Sequence, residues 1–528
     1  MLKDINPYDL PLSAFSGGNN VRFDQGKVMR APVFRAIVDG TAQADPQFVY
    51  GVRPAQGYDF VLIGGADGTI SRYSSGAETD VTRASHTPNV VNTPWTGAFH
   101  GEGTYLNRVD MVPQYLGPTD TQFADLPNWT ATWRTKVLRV YGDFLVAINV
   151  QKGAVAFPNM VKWSDLTLAG VPPGSWDETD LATSAGENIL NSLDSPLLDG
   201  VTLRDSLILY AETQVWRMTF VPNSPFIFDF RLLFDDGGAL NTNCVVEVDG
   251  RHYVFGNNDI YVHDGTTKRS IADGRVRDFV YRNINASRGE QCFAAHNPGL
   301  NEITFAFVSA DEDTYWKAPT RCNRGVVYNY INDTWSIVDL PNVGAMSAAN
   351  VENVTTYAQV PVTTTHELIG GTYADLSDGF KTHVISVSSP LASEGLSQGK
   401  LHGIDLADKG NLTFPFDVET ASPAWAERIG VDLDVSTRAE LRQYKVCSRL
   451  YPQVTVFRSI PTQIEVGGAL TATGPITWLP KQGFDPASDY KVDVRAGGRY
   501  LAFRFSVDAI SDFELSGYDL ELKSGGSR

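Results

Sequence analysis

The feature that most restricts this chain is a two-strand unit that recurs along much of it. In each copy an aromatic-aliphatic strand runs into a short polar corner, and a second strand carrying an aromatic follows, often ending in Asp-Gly or Asn-Asp. Copies are "FVLIGGADGTISRYSSG" from Phe60, "LILYAETQVWRM" from Leu207, "YVFGNNDIYVHDG" from Tyr253 and "ITFAFVSA…GVVYNYINDTW" from Ile303 to Trp335. A looser one, "FLVAINV…PNMVKWSD", runs from Phe144 to Asp165. One hairpin cannot bury both of its faces, so such units stack radially around a central channel. Later copies are spaced by roughly 45–60 residues, near the 40–50 of propeller blades, and the earlier ones must carry insertions. The expectation is a β-propeller-like body over residues 1–410. A set of unrelated hairpins in one large sandwich fits the same pattern.

Helix signals are scarce. Asp177–Leu193 and Ser436–Tyr444 are the candidates, the second with a Ser cap and Glu440 near its first turn. Short alternating strands dominate elsewhere, cut by corners drawn from 47 Gly and 28 Pro, which makes the fold all-β. After about residue 410 the pattern changes to cleanly alternating strands. In Tyr500–Phe505, Leu501, Phe503 and Phe505 oppose Tyr500, Ala502 and Arg504, so one face is apolar. Residues 411–528 read as a separate C-terminal β-sandwich.

The chain opens on "GGNNVRFDQGKVMRAP", Gly17 to Pro32. A two-residue loop at Gln25-Gly26 sets Asp24 opposite Lys27 and Phe23 opposite Val28. Gln-Gly is a weaker turn signal than Asn-Gly, and a bulged three-residue loop is also open. A hairpin placed so early suits a ring that needs N-terminal strands in its last blade. Val21–Arg30 is therefore expected to close the ring and remove its open edges.

Composition excludes several classes of function. The net charge is −18, and the densest basic stretch is only "KRSIADGRVR", Lys268–Arg277. Ordinary DNA binding, which draws its affinity from Lys and Arg displacing counterions, is excluded. Cys244, Cys292, Cys322 and Cys447 form no CxxC pair and have no His at ligand spacing, so they read as reduced structural thiols without zinc. The start "MLKDINPYDL" has no apolar core, and no run of 18 apolar residues occurs. Neither a secretion signal nor a membrane span is expected.

Catalytic motifs fail their context. "GLSQG", Gly395–Gly399, matches a nucleophile elbow, but no buried strand precedes Ser397 and no helix follows it. His402, the last histidine, comes only five residues later. "HGEG", His100–Gly103, reads as a hairpin corner. Phosphate-loop, zinc-protease and calcium-loop spacings are missing, and no cofactor is implied. Asp235-Asp236, Asp177 with Glu178, and Asp311 to Asp313 could supply a glycosidase pair only if the fold brought two carboxylates about 5–9 Å apart. Trp163, Trp176, Trp216, Trp316 and Trp335 could stack on sugars, or fill the wedges between blades.

Taken in order, these features resemble a known family: the tail nozzle (tail tubular protein B-like) and related hub proteins of short-tailed bacteriophages, the podoviruses. The opening "LPLSAFSGGNNVRFDQGKVMRAP" is similar to the family's N-terminal pattern. "VKWSD" (Val161–Asp165), "RDSLILYAETQVWRM" (Arg204–Met218), "FDDGGAL" (Phe234–Leu240), "DGRHYVFGNNDIYVHDG" (Asp249–Gly265) and "IADGRVRDFVY" (Ile271–Tyr281) resemble its run of blades. "GGRYLAFRF" and "FELSGYDLEL", between Gly497 and Leu522, resemble its closing strands. The likeness spans residues 10 to 525 and rests on order, because each motif alone is only strand plus turn. It implies a non-enzymatic structural protein of the virion, made in the host cytoplasm. It also implies a homo-oligomeric ring, a hexamer in the family, that retains the genome and passes DNA during ejection without binding it specifically. Adaptor or portal-side protein above, and tail fibres or tip proteins, are the implied neighbours. Two rivals remain: a virion-associated propeller glycosidase or depolymerase, and a carbohydrate-binding adhesion module.

Overall fold

The computed structural model describes residues 1–55, 59–89, 93–222, 224, 226–311, 313–351, 381–404, 422–433, 443–456, 461–508 and 513–524. Five four-stranded antiparallel sheets follow one another, each built from consecutive residues. They start at the strands Pro46–Val52, Thr96–His100, Trp133–Tyr141, Leu197–Leu203 and Val245–Val248 and are numbered blades 1 to 5. A seven-stranded sheet comes next, beginning at Phe293–Asn297. Its strand Thr334–Val351 serves twice: up to Val343 it pairs with Cys322–Asn329, and from Val343 onward with Lys381–Ser388. The sheet thus acts as two blades, 6 and 7, sharing one bent strand. Gly344 lies at the bend, where a Cβ would sit 2.9 Å from the Gln47 carbonyl oxygen of blade 1.

Apolar side chains fill the gap between each blade and the next. Phe48 and Leu62 meet Trp95 and Leu106 between blades 1 and 2. Tyr105 and Trp129 meet Leu145 and Met160 between blades 2 and 3, and Val146 and Trp163 meet Leu207 and Trp216 between 3 and 4. One continuous cluster holds blades 4, 5 and 6, from Tyr210 through Val254 to Phe305. Phe293 and Ala306 pack with Leu340 and Val343 at the junction of 6 and 7. Val49 and Ile63 of blade 1 then close against Ile385 and Leu401 of blade 7. Since the last contact returns to the first blade, the all-β body is a closed, propeller-like ring of seven.

The quoted repeats are the second and third strands of blades 1, 3, 4, 5 and 6. Blade 2, with its corner at Gly101-Glu102, and blade 7 escape the pattern because their strands are short or shared.

Ring closure differs from the expectation. The outermost strand of blade 7 is Arg35–Asp39, which pairs with Lys400–Gly403; the hairpin before it goes elsewhere. That hairpin has the two-residue register read from the sequence, Asp24 opposite Lys27 and Phe23 opposite Val28. Gln25 and Gly26 both have positive φ, 48° and 78°, as a type I′ turn requires. Val28, however, pairs with Leu515, and Gly17–Asn19 pairs with Ala424–Val431. Both sheets of the C-terminal sandwich therefore contain N-terminal strands. Val21 and Val28 are buried with Leu450, Phe503 and Leu515, so the hairpin's apolar side goes to the larger unfilled core. The sandwich is discontinuous, combining residues 17–30 with strands from Ala424 to Ser524; the expected boundary at 410–411 lies outside the described residues.

Asp177–Leu193 is not helical. Asp177 accepts from the Thr179 amide and hydroxyl, Asp180 accepts from the Ala182 amide, and Gly186–Ile189 forms the outer strand of blade 3. Short acidic side chains have captured amides that a helix would need, and Leu181 is fully exposed with no face to bury. Most of Ser436–Tyr444 lies outside the described residues. Among the described residues the α-helix is Arg277–Asn283, in the arc joining blades 5 and 6.

Candidate functional site

A concavity of about 460 Å³ on the ring axis touches the inner strand of all seven blades. At its wall Arg139 of blade 3 makes two contacts with Asp199 of blade 4, 2.9 and 3.0 Å long, and donates to the Asn243 side chain of blade 5 and the Gly97 carbonyl of blade 2. Asp199 is fully buried and also accepts from the amides of Gly200 and Asn243. Asn243 donates onward to the Trp95 carbonyl. Arg321 opposes this group, bonded to Asp45 at 2.8 Å. The two guanidinium groups at the cavity are thus each paired with a carboxylate and spent on joining blades. Lys136 lies beside them; burial lowers its pKa from the ordinary lysine value, against the opposing pull of Glu290 and Asp199.

A cavity of this volume is of small-ligand size. It cannot admit duplex DNA, whose major groove alone is about 12 Å wide.

The carboxylates singled out in the sequence are not brought together as a catalytic pair. Glu178 sits on the outer side of blade 3 with Glu187, each shared by Lys152 and Lys162 at 2.5–3.0 Å. Burial raises its pKa, but the two ammonium groups prevail and hold it down at about 2. Asp236 pairs with Lys268 at 2.7 Å, and Asp311 caps the Asp313 amide. Gly395–Gly399 leads into the strand Lys400–Gly403 and follows a single turn of 3-10 helix, the reverse of an elbow's context. His402 bonds instead to Ser388 at 2.8 Å, and both are almost completely buried.

The five tryptophans proposed for stacking, Trp163, Trp176, Trp216, Trp316 and Trp335, are 0–8% exposed. They fill interblade wedges or loop cores. Cys244, Cys292, Cys322 and Cys447 are free and buried. Three of them converge although they are far apart in sequence: the Cys244 thiol donates to the Cys292 carbonyl and the Cys322 thiol to the neighbouring Gln291 carbonyl. Burial raises all three thiol pKa values, to about 12 for Cys292. Among the described residues no group of three or more His, Cys, Asp or Glu is placed to hold a metal, and no helix is long and apolar enough to cross a membrane.

Sequence reasoning missed a polar core between blades 4 and 5. The Tyr210 hydroxyl lies 2.6 Å from His252 Nδ1 and 2.6 Å from His263 Nε2. His263 Nδ1 accepts from the Gly265 amide, and His252 Nε2 faces the Thr202 carbonyl. Those two contacts fix the tautomers: His263 donates to Tyr210, Tyr210 donates to His252, and His252 donates to Thr202. Burial pushes His252 down to about 4 and His263 to about 3, so both are neutral near pH 7.

No protein-family model matches the chain, and no curated protein matches it. Among solved structures, the crystal structure of the computationally designed Ika8 protein is similar at a TM-score of 0.38 and 11% identity, over 74% of this chain and 97% of that one. So distant a likeness carries no argument, and the fold description rests on the strand pairing above.

Proposed function

We propose that this chain is a structural virion protein of a short bacteriophage tail, a nozzle or hub, that assembles as a ring and lets the genome pass. The observation that carries the reading is the family resemblance at the two ends of the sequence. Its terminal signatures are hydrogen-bonded neighbours: Val28 of the N-terminal pattern pairs with Leu515 of the closing strands. Two stretches nearly 490 positions apart thus belong to one structural unit, which favours a single resemblance over two chance ones.

Each subunit's own axis is too narrow for DNA, so the conduit lies between copies. A net charge of −18 per chain suits passage without capture, because acidic walls repel phosphates and leave a layer of water and counterions. The repulsion reaches about 8 Å in physiological salt, enough to act across a channel slightly wider than the duplex. A lining of Lys and Arg would instead have to break each phosphate contact as the genome slid. The glycosidase rival finds its one sequence candidate that meets a second carboxylate, Glu178 with Glu187, tied up by Lys152 and Lys162, and the adhesion rival loses the five tryptophans it relied on.

The test is the mass of the purified assembly followed by an image of it. The expected result is a ring with a negative lumen and no retention of duplex DNA at moderate salt. A lone monomer, a positive lumen, or tight salt-sensitive duplex binding would overturn the reading.

A further inference from the structure

The outermost strand of blade 4 is built unlike its counterparts. In blades 1, 2, 3 and 5 the last strand is Ala77–Asp80, Ala124–Asp125, Gly186–Ile189 and Lys268–Ser270. Each is two to four residues long and carries at least one charged side chain, the usual way a protein keeps an exposed sheet edge from recruiting another chain. Blade 4 ends instead on Phe228–Phe234, seven residues with the sequence FDFRLLF. Among the described residues this strand pairs with Val215–Phe220 on one side and ends its sheet on the other. One face of it is anchored to blade 3: Phe228 packs edge-on against Trp163 at 5.1 Å, and Phe230 lies 6.3 Å from the same ring. Leu232, beyond them, is 46% exposed.

The strand is also chemically symmetric about Phe230. Asp229 mirrors Arg231, Phe228 mirrors Leu232, and Ile227 mirrors Leu233. A two-fold axis through Phe230, perpendicular to the sheet, would continue blade 4 into a second copy as an antiparallel pair, with residues of one face set opposite each other. Apolar side chains then meet apolar ones, and each Asp229 meets Arg231 of the other copy. Asp229 and Arg231 share a face, joined at 2.6 Å within their own strand, with side chains 42% and 79% exposed. No other ion pair holds either of them among the described residues. Moving the axis one residue either way, onto Asp229 or Arg231, would set like charges against each other, which is unfavourable.

We propose that two copies of this chain join edge to edge through Phe228–Leu232 of blade 4, antiparallel and centred on Phe230. Such a contact is isologous, one patch meeting itself, and it supplies main-chain hydrogen bonds to an edge open to them. It accounts for one blade edge being long and electrically balanced while four others are short and polar. The inference goes beyond the ring reading and does not rest on it, because copies placed by rotation about a conduit need a second, heterologous contact.

Sedimentation velocity on the full chain tests it by charge reversal at the two exposed positions. Asp229→Arg sets Arg against Arg at both ends of the contact, and Arg231→Asp sets Asp against Asp. Each should raise the dissociation concentration about tenfold or more, with an unchanged melting midpoint. Asp229→Arg with Arg231→Asp on one chain should restore self-association. The two single variants mixed should form a one-to-one heterodimer, since every charge then meets its opposite. Leu232→Lys should weaken the contact without any such rescue. Self-association that neither reversal weakens, or that the double reversal fails to restore, overturns the contact and leaves the ring reading standing. A dimer with no larger ring upholds the contact and overturns the ring reading. A wild type that stays monomeric at high concentration overturns both.

Discussion

The ring and the sandwich are held together in opposite ways. Blades 1 to 5 are each made of consecutive residues, so their strand pairing is local, and the ring needs one distant partner, Arg35–Asp39, to complete blade 7. Neither sandwich sheet is local: each sets an N-terminal strand beside strands more than 390 positions later. Buried charge is common to both. Ring blades are tied by networks such as Arg139–Asp199, and in the sandwich Lys445 pairs with Asp432, both almost completely buried, beside an apolar core that runs from Val21 to Leu515. Loss of the chain's first residues takes whole strands from the sandwich, and from the ring contacts but no strand, those of Met1 and Asp4 among them.

The largest effect should therefore come from truncation. Removing residues 1–32 takes strands from both sandwich sheets and the buried Val21 and Val28 from its core. Calorimetry should show the sandwich transition abolished and the ring transition kept but lowered, since Arg35–Asp39 remains while Met1 leaves the core of blades 4 to 6. Removing residues 1–40 should also open blade 7 and cause aggregation, because an unpaired edge at Lys400–Gly403 invites intermolecular pairing. A 1–32 deletion that melts like the full chain would break the comparison.

Next in size is the axial network. Asp199→Asn leaves the part-buried Arg139 without its counter-charge, at a cost of about 1.5–3 kcal/mol. The double change Arg139→Met with Asp199→Leu should be far milder, because no lone charge is left. Denaturant titration should place both effects in the ring transition alone.

Acid should also separate the two regions. His252 and His263 stand at about 4 and 3 in the folded chain against about 6.5 unfolded. Below pH 6.5 the unfolded chain binds more protons, so the ring should lose stability progressively down to about pH 3–4, by several kcal/mol. Glu302 and Asp339, on blade 6 where the sandwich seats, are shifted the other way: burial raises both. Their folded forms hold protons more tightly, so their share of stability is kept in acid and declines as pH rises through the raised values. Tyr210→Phe, which leaves both histidines short of a partner, should alter the acid slope of the ring only. An acid-insensitive ring would count against the tautomer chain.

Local patterns were legible in the sequence, and distant partners were not. The Phe23–Val28 register followed from turn chemistry, the strand pairs of five blades from alternation, and Leu501, Phe503 and Phe505 from period two. Where the hairpin docks depends on a core completed by Leu515, which no local rule reaches. Asp177–Leu193 misled because its spacing allows a helix while Asp177 and Asp180 satisfy nearby amides themselves. The site was least legible: Arg139 and Asp199 are 60 positions apart, and Cys244, Cys292 and Cys322 meet only because blades 5 and 6 stack.

The smallest expected effect lies on the outer face of the sandwich. Arg504 bridges Glu427 at 2.8 Å and Glu465 at 3.5 Å on the two strands beside its own. Its guanidinium also lies 4.6 Å from the Trp478 ring centroid and 5.5 Å from that of Trp425. The side chain is about one-third exposed, so solvent screens the ion pairs, and each contact is worth about 0.5–1 kcal/mol at most. Arg504→Met keeps the aliphatic stem over the rings and removes the charge, which also leaves Glu427 and Glu465 facing each other across the gap. The sandwich midpoint should fall by roughly 1 kcal/mol, and by less at high salt, where the remaining carboxylates repel less. The ring transition should not move. A loss of several kcal/mol, or one indifferent to salt, would mean that Arg504 acts as a buried charge, as Lys445 does beside Asp432, and not as a screened surface one.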